Sequence, residues 1–531
     1  MGKYYKDLRE YISVLKKKGK LVTVTRQINK DLELMPLVRC QFRGLPAEER
    51  KAFLFENVVD VKGRRYDIPV LVAGHAGSRD LYALAMQCKP EEITARWQKA
   101  QLEPIEPRMV DSGPAQEEVH EGDNLLEHGG LEEFPIPIST PGFDNAPYLT
   151  CANWVTKDLE TNIRNMGNYR AMIKSKNRTG ISILGAQHLR VHWEKCRKKG
   201  IPLQAAIVLG ASPNIGLVGT ARLPYGLDEY KVAGGIAGEA VALVKCRTVD
   251  IEVPATAEIV IEGQLPTDVL EREAPFGEFP GYIGGEAFGP LFNVTCITHR
   301  KNPVFTAFIS QFPPSESTIL RGVGQEAALL KFLRHSCNIP GIMDVALPEA
   351  CGSHSYCVVQ LKKFHPGEAW QALDGVAAYN VASPKIIVAV DEDIDPRDPD
   401  AVNWAMCFRM QPHNDVKISK GKAMSLDPSL APLSAPESEQ RYPFPTGGSA
   451  LLIDATMKWP YPPVALPRKE IMENALNIWQ ELKLPKLKLK APWHGYELGY
   501  WTAENREEAE LALKGEHYQT GEKLARKRVK T

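Results

Sequence analysis

Apolar and polar positions follow two different periods along this chain. Between residues 5 and 16, Leu8, Tyr11, Ile12 and Leu15 recur every three to four positions, which predicts an amphipathic helix ending near Gly19. The run "KLVTVTRQI" then reads as a strand, "DLELMPLVRCQF" returns to helical spacing, and "AFLFENV" and "IPVLVAG" predict two more strands. Alternating helix and strand is the signature of a small α/β domain. A connector rich in Pro, Gly and acid, "EPIEPRMVDSGPAQEEVHEGDN", closes it.

Beyond the connector the period shortens. "YLTCANWVT", "GISILGA", "LQAAIVLGAS", "EVPATAEIVIEG", "LFNVTCITH" and "PVFTAFISQ" are short β-rich runs separated by Pro, Gly and Asn turns, which predicts an antiparallel β domain, barrel or sandwich. The last third returns to α/β. The helical "PGEAWQALDGVAAYN" feeds the strand "KIIVAVDED", and a helix follows with Asp398 as cap and Pro399 at its first position. The tail "AENREEAELALKGEHYQTGEKLARKRVKT" reads as one charged helix, either solvated or an arm on another subunit. The resulting division is an N-terminal α/β domain (1–115), a β domain (116–320), a C-terminal α/β domain (321–500) and a helical tail (501–531).

Composition narrows the class. The chain has 531 residues, too many for one core. Lys+Arg and Asp+Glu balance at 65 each, which argues against a nucleic-acid partner. The N-terminus lacks the apolar core of a secretory signal, and Lys6 stands where myristoylation wants Ser or Thr. The most apolar stretch, near residues 204–221, is broken by Pro213, so no membrane span and a cytoplasmic location are expected. Ten cysteines without a CxxC pair read, for nearly all of them, as buried reduced thiols.

Several stretches invite chemistry. "DEDIDPRDPD" has Pro396 where a calcium loop needs Gly, so it reads as a strand-end loop and helix cap. "GASPNIGLVG" and "AGGIAGEA" lack the features of phosphate loops and are expected to be tight turns; "GYIGGEAFG" could be a flap. Asn165, Asn168 and Arg170 crowd into "RNMGNYRAM", while His188 and Glu229 lie 23 and 41 residues further along in turn, too far for spacing to join them. In "EREAPFGEFPGY" (271–282), Glu273 and Glu278 flank a Pro-Phe-Gly turn, with Phe276, Phe279 and Tyr282 expected to wall a pocket that raises the pKa of a carboxyl. Such a pair could work as a hydrolase's two carboxylates, as an acid–base relay with an arginine, or as a salt-bridged loop.

This last stretch resembles the Glu-x-Pro-[Phe/Tyr]-Gly-[Glu/Asp]-x-x-Gly-Tyr signature of UbiD-type decarboxylases. "NMGNYRAM", "GASPNIGLVGTARLPYGLDEYKVAGG", "ALVKCRTVDIEVPATAEIVIEGQL", "VDEDIDPRDPDAVNWAMCFRMQP" and "LLIDATMK" resemble the same family, over roughly residues 5–460. The resemblance implies an α+β multidomain fold whose central part is an FMN-binding split β-barrel and whose C-terminal α/β domain ends in a helix. It implies prenylated FMN as cofactor, supplied by a flavin prenyltransferase, with a divalent metal (Mn²⁺, or Mg²⁺ or Fe²⁺) and K⁺ at its phosphate. By motif position the metal ligands would be Asn165, His188 and Glu229, and the catalytic network Arg170, Glu273 and Glu278. Asn168, Tyr169, Arg170, Gly185, Gln187 and His188 would touch the cofactor. The implied activity is reversible non-oxidative decarboxylation of an aromatic, heteroaromatic or α,β-unsaturated carboxylic acid, or its CoA thioester, through a covalent cofactor adduct, with Glu278 as proton donor. A homodimer or homohexamer is the implied assembly. The alternatives are a flavin- or metal-binding subunit of a larger aromatic carboxylase complex and a carboxylate-pair hydrolase.

Overall fold

The computed structural model describes residues 4–183, 187–273, 275–380, 382–422, 426–430 and 448–529. Its first helix, Leu8–Lys17, buries Leu8, Tyr11 and Leu15, and Asp7 caps it by accepting the Glu10 amide. Burying the two leucines contributes about 2 kcal/mol each. The strands Leu21–Val24, Ala52–Phe55 and Val70–Val72 form one sheet, and its fourth strand is Phe305–Ala307, which pairs parallel to Val70–Val72. The N-terminal layer is therefore completed by a strand from far down the chain.

The central sheet has nine strands, all paired antiparallel, and curls into a half-barrel. In order they are Arg164–Asn168, Asn153–Lys157, Leu203–Leu209, Ile259–Leu265, Leu291–His299, Arg178–Ile181, Ala171–Ser175 and Tyr148–Leu149, with Glu118–Glu121 beside the far end of Leu291–His299. Along Leu203–Leu209, Ala206 and Val208 enter one core while Ala205, Ile207 and Leu209 enter another. Burial on both faces explains why this strand reads as an unbroken apolar run.

Two Gly-rich stretches depart from the expected tight turns. They form the helices Pro213–Gly219 and Glu229–Ala237, both largely buried. A Cβ on Gly234 would lie 2.9 Å from the Ile105 carbonyl, and one on Gly235 2.7 Å from that of Ala100. These glycines serve close packing, a demand that outweighs their poor helix propensity.

The last sheet has the order Ile342–Ala346, Tyr356–Leu361, Ile386–Asp391, Gly448–Ala455 and Val416–Lys422, its middle three strands parallel. Asp398 caps the helix Pro399–Arg409 by accepting the Asp400 amide. The tail forms two helices rather than one, Ala503–Leu513 and His517–Ala525, because the chain turns at Gly515, whose φ is +76°. No described helix is long and apolar enough to cross a membrane.

Candidate active site

The stretch that carries Glu273 and Glu278 leaves the central sheet as a nested hairpin. Glu271–Glu273 pairs with Ala287–Gly289, and Phe276–Gly277 pairs with Ile283–Gly284. Across from it, Arg170 sits between the strands Arg164–Asn168 and Ala171–Ser175. Its Nε and Nη2 donate to the two oxygens of Glu273 at 2.9 and 2.8 Å, a bidentate fork, and its Nη1 forms an ion pair with Glu278. One guanidinium thus joins both carboxylates. Phe276 lies under it, with the guanidinium carbon 4.9 Å from the ring centre.

The three members are sheltered to different degrees. Glu273 is 1% exposed and Glu278 8%. Phe276 and Phe279 are buried as expected, but Tyr282 is solvent-exposed and contributes its carbonyl, which accepts the Glu278 amide at 2.9 Å. Glu271 takes no part. Its carboxylate meets Lys174 at 2.8 Å and Arg178 at 3.4 Å, at the base of the hairpin.

Asp144, which sequence reasoning passed over, holds the turn from behind. It accepts the amides of Gly277 and Thr140 at 2.8 and 2.6 Å. Burial pushes its carboxyl up to about 6, against the opposing pull of those amides and of Arg170. Its local sequence, "STPGFDNAP", shows only turn-forming residues. Arg321 and His354 carry no local signal for a different reason, since they come from the last third of the chain. Arg321 stacks on Phe279 at 4.4 Å, and His354 meets the same ring edge-on at 5.3 Å. Arg321 reaches solvent yet sits deep among protein atoms, as a cleft wall does; desolvation first, and then Arg170, lowers it to about 10.

A second group of polar residues lies along the strand Arg164–Asn168. Asn165 and His188 meet directly, Oδ1 to Nδ1, at 3.0 Å. Glu229 accepts the amide of Met166, the next residue along, at 2.7 Å. Folding therefore gathers the three residues that spacing could not join. The Nδ2 of Asn165 is buried without a hydrogen bond, and Glu229 is buried so deeply that its carboxyl is pushed up to about 8, mainly by desolvation. Among the described residues Glu229 has no cationic partner, and with the Asn165 amide turned so that its oxygen takes the unpaired place, a bound divalent ion would meet both groups. Since an amide can present either end, this donor set is one nitrogen and two oxygens, suited to Mn²⁺ or Mg²⁺.

The remaining expected cofactor contacts are placed as follows. Asn168 donates to the Thr150 carbonyl at 3.0 Å and keeps a buried Oδ1 with no partner. The carbonyl of Tyr169 accepts the Trp154 indole at 2.8 Å, and its phenol is pushed up to about 12 by burial and then by Glu229. Gln187 directly precedes the helix His188–Lys198. Gly185 lies outside the described residues.

Comparison with known proteins agrees across the chain. Models of the 3-octaprenyl-4-hydroxybenzoate carboxy-lyase family match in three parts: the N-terminal domain at residues 12–101, the Rift-related domain at 108–313 and the C-terminal domain at 318–455. An uncharacterized protein of Aquifex aeolicus is 32% identical over 91% of this chain and 99% of its own length. Among solved structures, HmfF of Pelotomaculum thermopropionicum, a UbiD-class enzyme in complex with prFMN, is 32% identical with a TM-score of 0.73, covering 85% of this chain and 95% of that one. The vanillic acid decarboxylase of Sedimentibacter hydroxybenzoicus in its closed form is 27% identical, with a TM-score of 0.76 over 90% and 99% of the two chains. The 3,4-dihydroxybenzoic acid decarboxylase of Klebsiella pneumoniae is 27% identical, with a TM-score of 0.74 over 86% and 95%.

Proposed function

This chain belongs to the UbiD family of carboxy-lyases, and from that footing we propose that it removes CO₂ from an aromatic or α,β-unsaturated carboxylic acid with prenylated FMN as cofactor. The observation that carries the reading is Arg170 bridging Glu273 and Glu278 over the Phe276 ring. That arrangement supplies a fixed cation, a carboxylate that orients it and a carboxyl beside an apolar surface suited to a planar acid.

In this reading each residue has one task. Glu273 is held at both oxygens and serves as the anchor that keeps the Arg170 plane fixed. Arg170 offers the substrate carboxylate its Nη1 side, which Glu278 shares. Glu278 gives a proton to the carbon that has lost CO₂ and regains one from solvent, so the balance is carboxylate plus proton to hydrocarbon plus CO₂. One guanidinium faces two carboxylates, so Glu278 can carry that proton while the Arg170–Glu273 fork stays intact. The prenylated flavin, when bound, supplies the electron sink that no side chain offers. Asn165, His188 and Glu229 would hold a divalent ion, Mn²⁺ in first place, and Asn168 with its unpartnered Oδ1 would face the flavin.

The test is to co-express the chain with a flavin prenyltransferase, purify it without oxygen, and record the absorbance spectrum and the mass of the released cofactor. A prenylated-FMN mass together with CO₂ release from an aromatic or unsaturated acid is the expected result. A metal-loaded protein with no flavin would overturn the reading and return Glu273 and Glu278 to the hydrolase alternative.

A further inference from the structure

The connector at 103–124 and the turn after it carry imidazoles and a carboxylate for which decarboxylation has no use. His120 lies on the strand Glu118–Glu121, which pairs antiparallel with Leu291–His299 so that His120 faces Ile297 and His299 faces Glu118. The two histidines therefore project from the same face as diagonal neighbours. The chain then reverses through Gly122, the short helix Asp123–Glu127 with His128 at its end, and Gly129 and Gly130, all three glycines at positive φ. Only this reversal brings His128 and Glu133 back over His120. A Cβ on Gly130 would run into the Lys176 carbonyl, so the turn closes tightly onto the sheet.

Four side chains converge there. His120 Nδ1 lies 3.0 Å from Glu133 Oε2. The rings of His120 and His128 stack at 3.9 Å between centres and 14° between planes. One donor atom each from His120, His128 and Glu133 lies within 4.8 Å of the other two, the one such group of His, Cys, Asp and Glu found among the described residues. Behind them, His299 commits Nδ1 to the Arg300 carbonyl at 2.8 Å. Its Nε2 is buried without a hydrogen bond, 3.5 Å from the second oxygen of Glu133.

A metal-free relay from His120 through Glu133 to His299 would account for three of these residues. It leaves His128 unexplained. That ring is exposed, yet it lies flat on His120 rather than extending into water, beside the carboxylate. The geometry points to a divalent transition-metal site made by His120, His128 and Glu133, with His299 behind Glu133 as the group that orients it and water completing the shell. Two imidazoles and one carboxylate suit Zn²⁺ or a neighbouring ion such as Co²⁺ or Ni²⁺ better than Mg²⁺ or Ca²⁺. Ligand bonds near 2.0–2.2 Å, about the usual range for zinc, require the donors to close in slightly, and exposed His128 is free to make that move. The ion would clip the connector to the end of the strand pair. The site shares no residue with the Arg170 site or with Asn165, His188 and Glu229.

The experiment is a Zn²⁺ titration of the full-length protein after chelator treatment, with bound metal counted by mass spectrometry after desalting and the unfolding midpoint recorded. Wild type should bind one equivalent more than His128→Ala and than Glu133→Gln. Zinc should also raise the wild-type midpoint and leave that of His128→Ala unmoved. Zinc captured by other residues is common to all three proteins and cancels in the difference. Exposed His128 makes no side-chain cap, so its variant should fold; should Glu133→Gln not fold, His128→Ala decides alone. Equal stoichiometry in wild type and His128→Ala would mean an adventitious ion only and would overturn the site.

Discussion

Asp144 accepts the backbone amide of Gly277 at 2.8 Å across a sequence separation of 133 residues. The turn that sets Glu278 against Arg170 is therefore held from outside its own hairpin, by the loop that leads into Tyr148–Leu149. Gly277 packs directly on that loop, where a Cβ would collide with the Thr140 hydroxyl. Gly277→Ala should push the hairpin off Asp144 and lower turnover on the order of 100-fold, because displacements of about 1 Å cost that much at a reacting centre. Thr140→Ala removes the colliding oxygen and should restore part of the loss in the double variant. The check is kcat/KM for the two single variants and the double one; a double variant no better than Gly277→Ala alone would refute the steric account.

Arg170→Lys keeps the charge and loses the fork. Lysine offers a point charge that cannot meet both oxygens of Glu273 in one plane. Turnover should fall by about 100-fold or more while flavin content and midpoint stay near wild type. Measuring flavin absorbance beside kcat separates this from misfolding, since wild-type turnover in Arg170→Lys would mean that the bidentate contact has no catalytic part.

The substrate's own charge should also register at Arg321. It stacks on Phe279 beside the Arg170 site and forms no ion pair among the described residues. Arg170 is already matched by Glu273 and Glu278, so the Arg321 charge is the one left to meet a substrate carboxylate. Arg321→Met should raise KM for a carboxylate substrate by about 10-fold, equivalent to about 1.4 kcal/mol, with kcat less affected. Added salt should shrink the difference between the two proteins, as screening predicts. A salt-independent change would point to lost packing on Phe279 instead.

How far the sequence discloses this molecule varies with the kind of information. Strands of the central sheet are legible because burial on two faces demands unbroken runs such as the one ending in Leu209. The helices Pro213–Gly219 and Glu229–Ala237 are not, because glycines needed for contact with Ile105 and Ala100 look like turn residues. The partnership of Phe305–Ala307 with Val70–Val72 leaves no local trace either, since it is a tertiary pairing. At the site, the Glu273–Glu278 turn announces itself through Pro275 and Gly277. Asn165, His188 and Glu229 were grouped by family resemblance alone, because the strand and two helix starts that bring them together are set by the fold. Asp144 and His128 had no signal, being single polar residues in turn-rich stretches.

Acid sensitivity should trace in part to His75. It is 3% exposed, packs edge-on to Phe308 at 5.4 Å, and burial pushes its imidazole down to about 4. The unfolded residue titrates near 6.5, so between about pH 6.5 and 4 the unfolded chain binds a proton that the folded chain excludes. The stability is complete above that window and is lost as pH falls through it, by about 3 kcal/mol at most. His75→Leu should show a shallower fall in its denaturation midpoint from pH 7 to pH 4.5. Comparing slopes removes any constant packing cost, and parallel curves would exclude His75 as the source.

Glu278→Gln gives the sharpest division between roles. Glutamine fills the same volume and can still accept a hydrogen bond from Arg170, so the hairpin, Asp144 and the Arg170–Glu273 fork should remain as they are. What it cannot do is donate a proton to carbon. Decarboxylation should therefore disappear, with flavin content, metal content and unfolding midpoint unchanged. Glu273→Gln should behave differently, because it loosens the Arg170 fork and weakens substrate binding as well as turnover. If Glu278→Gln keeps wild-type turnover, the proton comes from elsewhere and the assignment of Glu278 fails; if Glu273→Gln instead leaves KM untouched, its part is chemical rather than orienting.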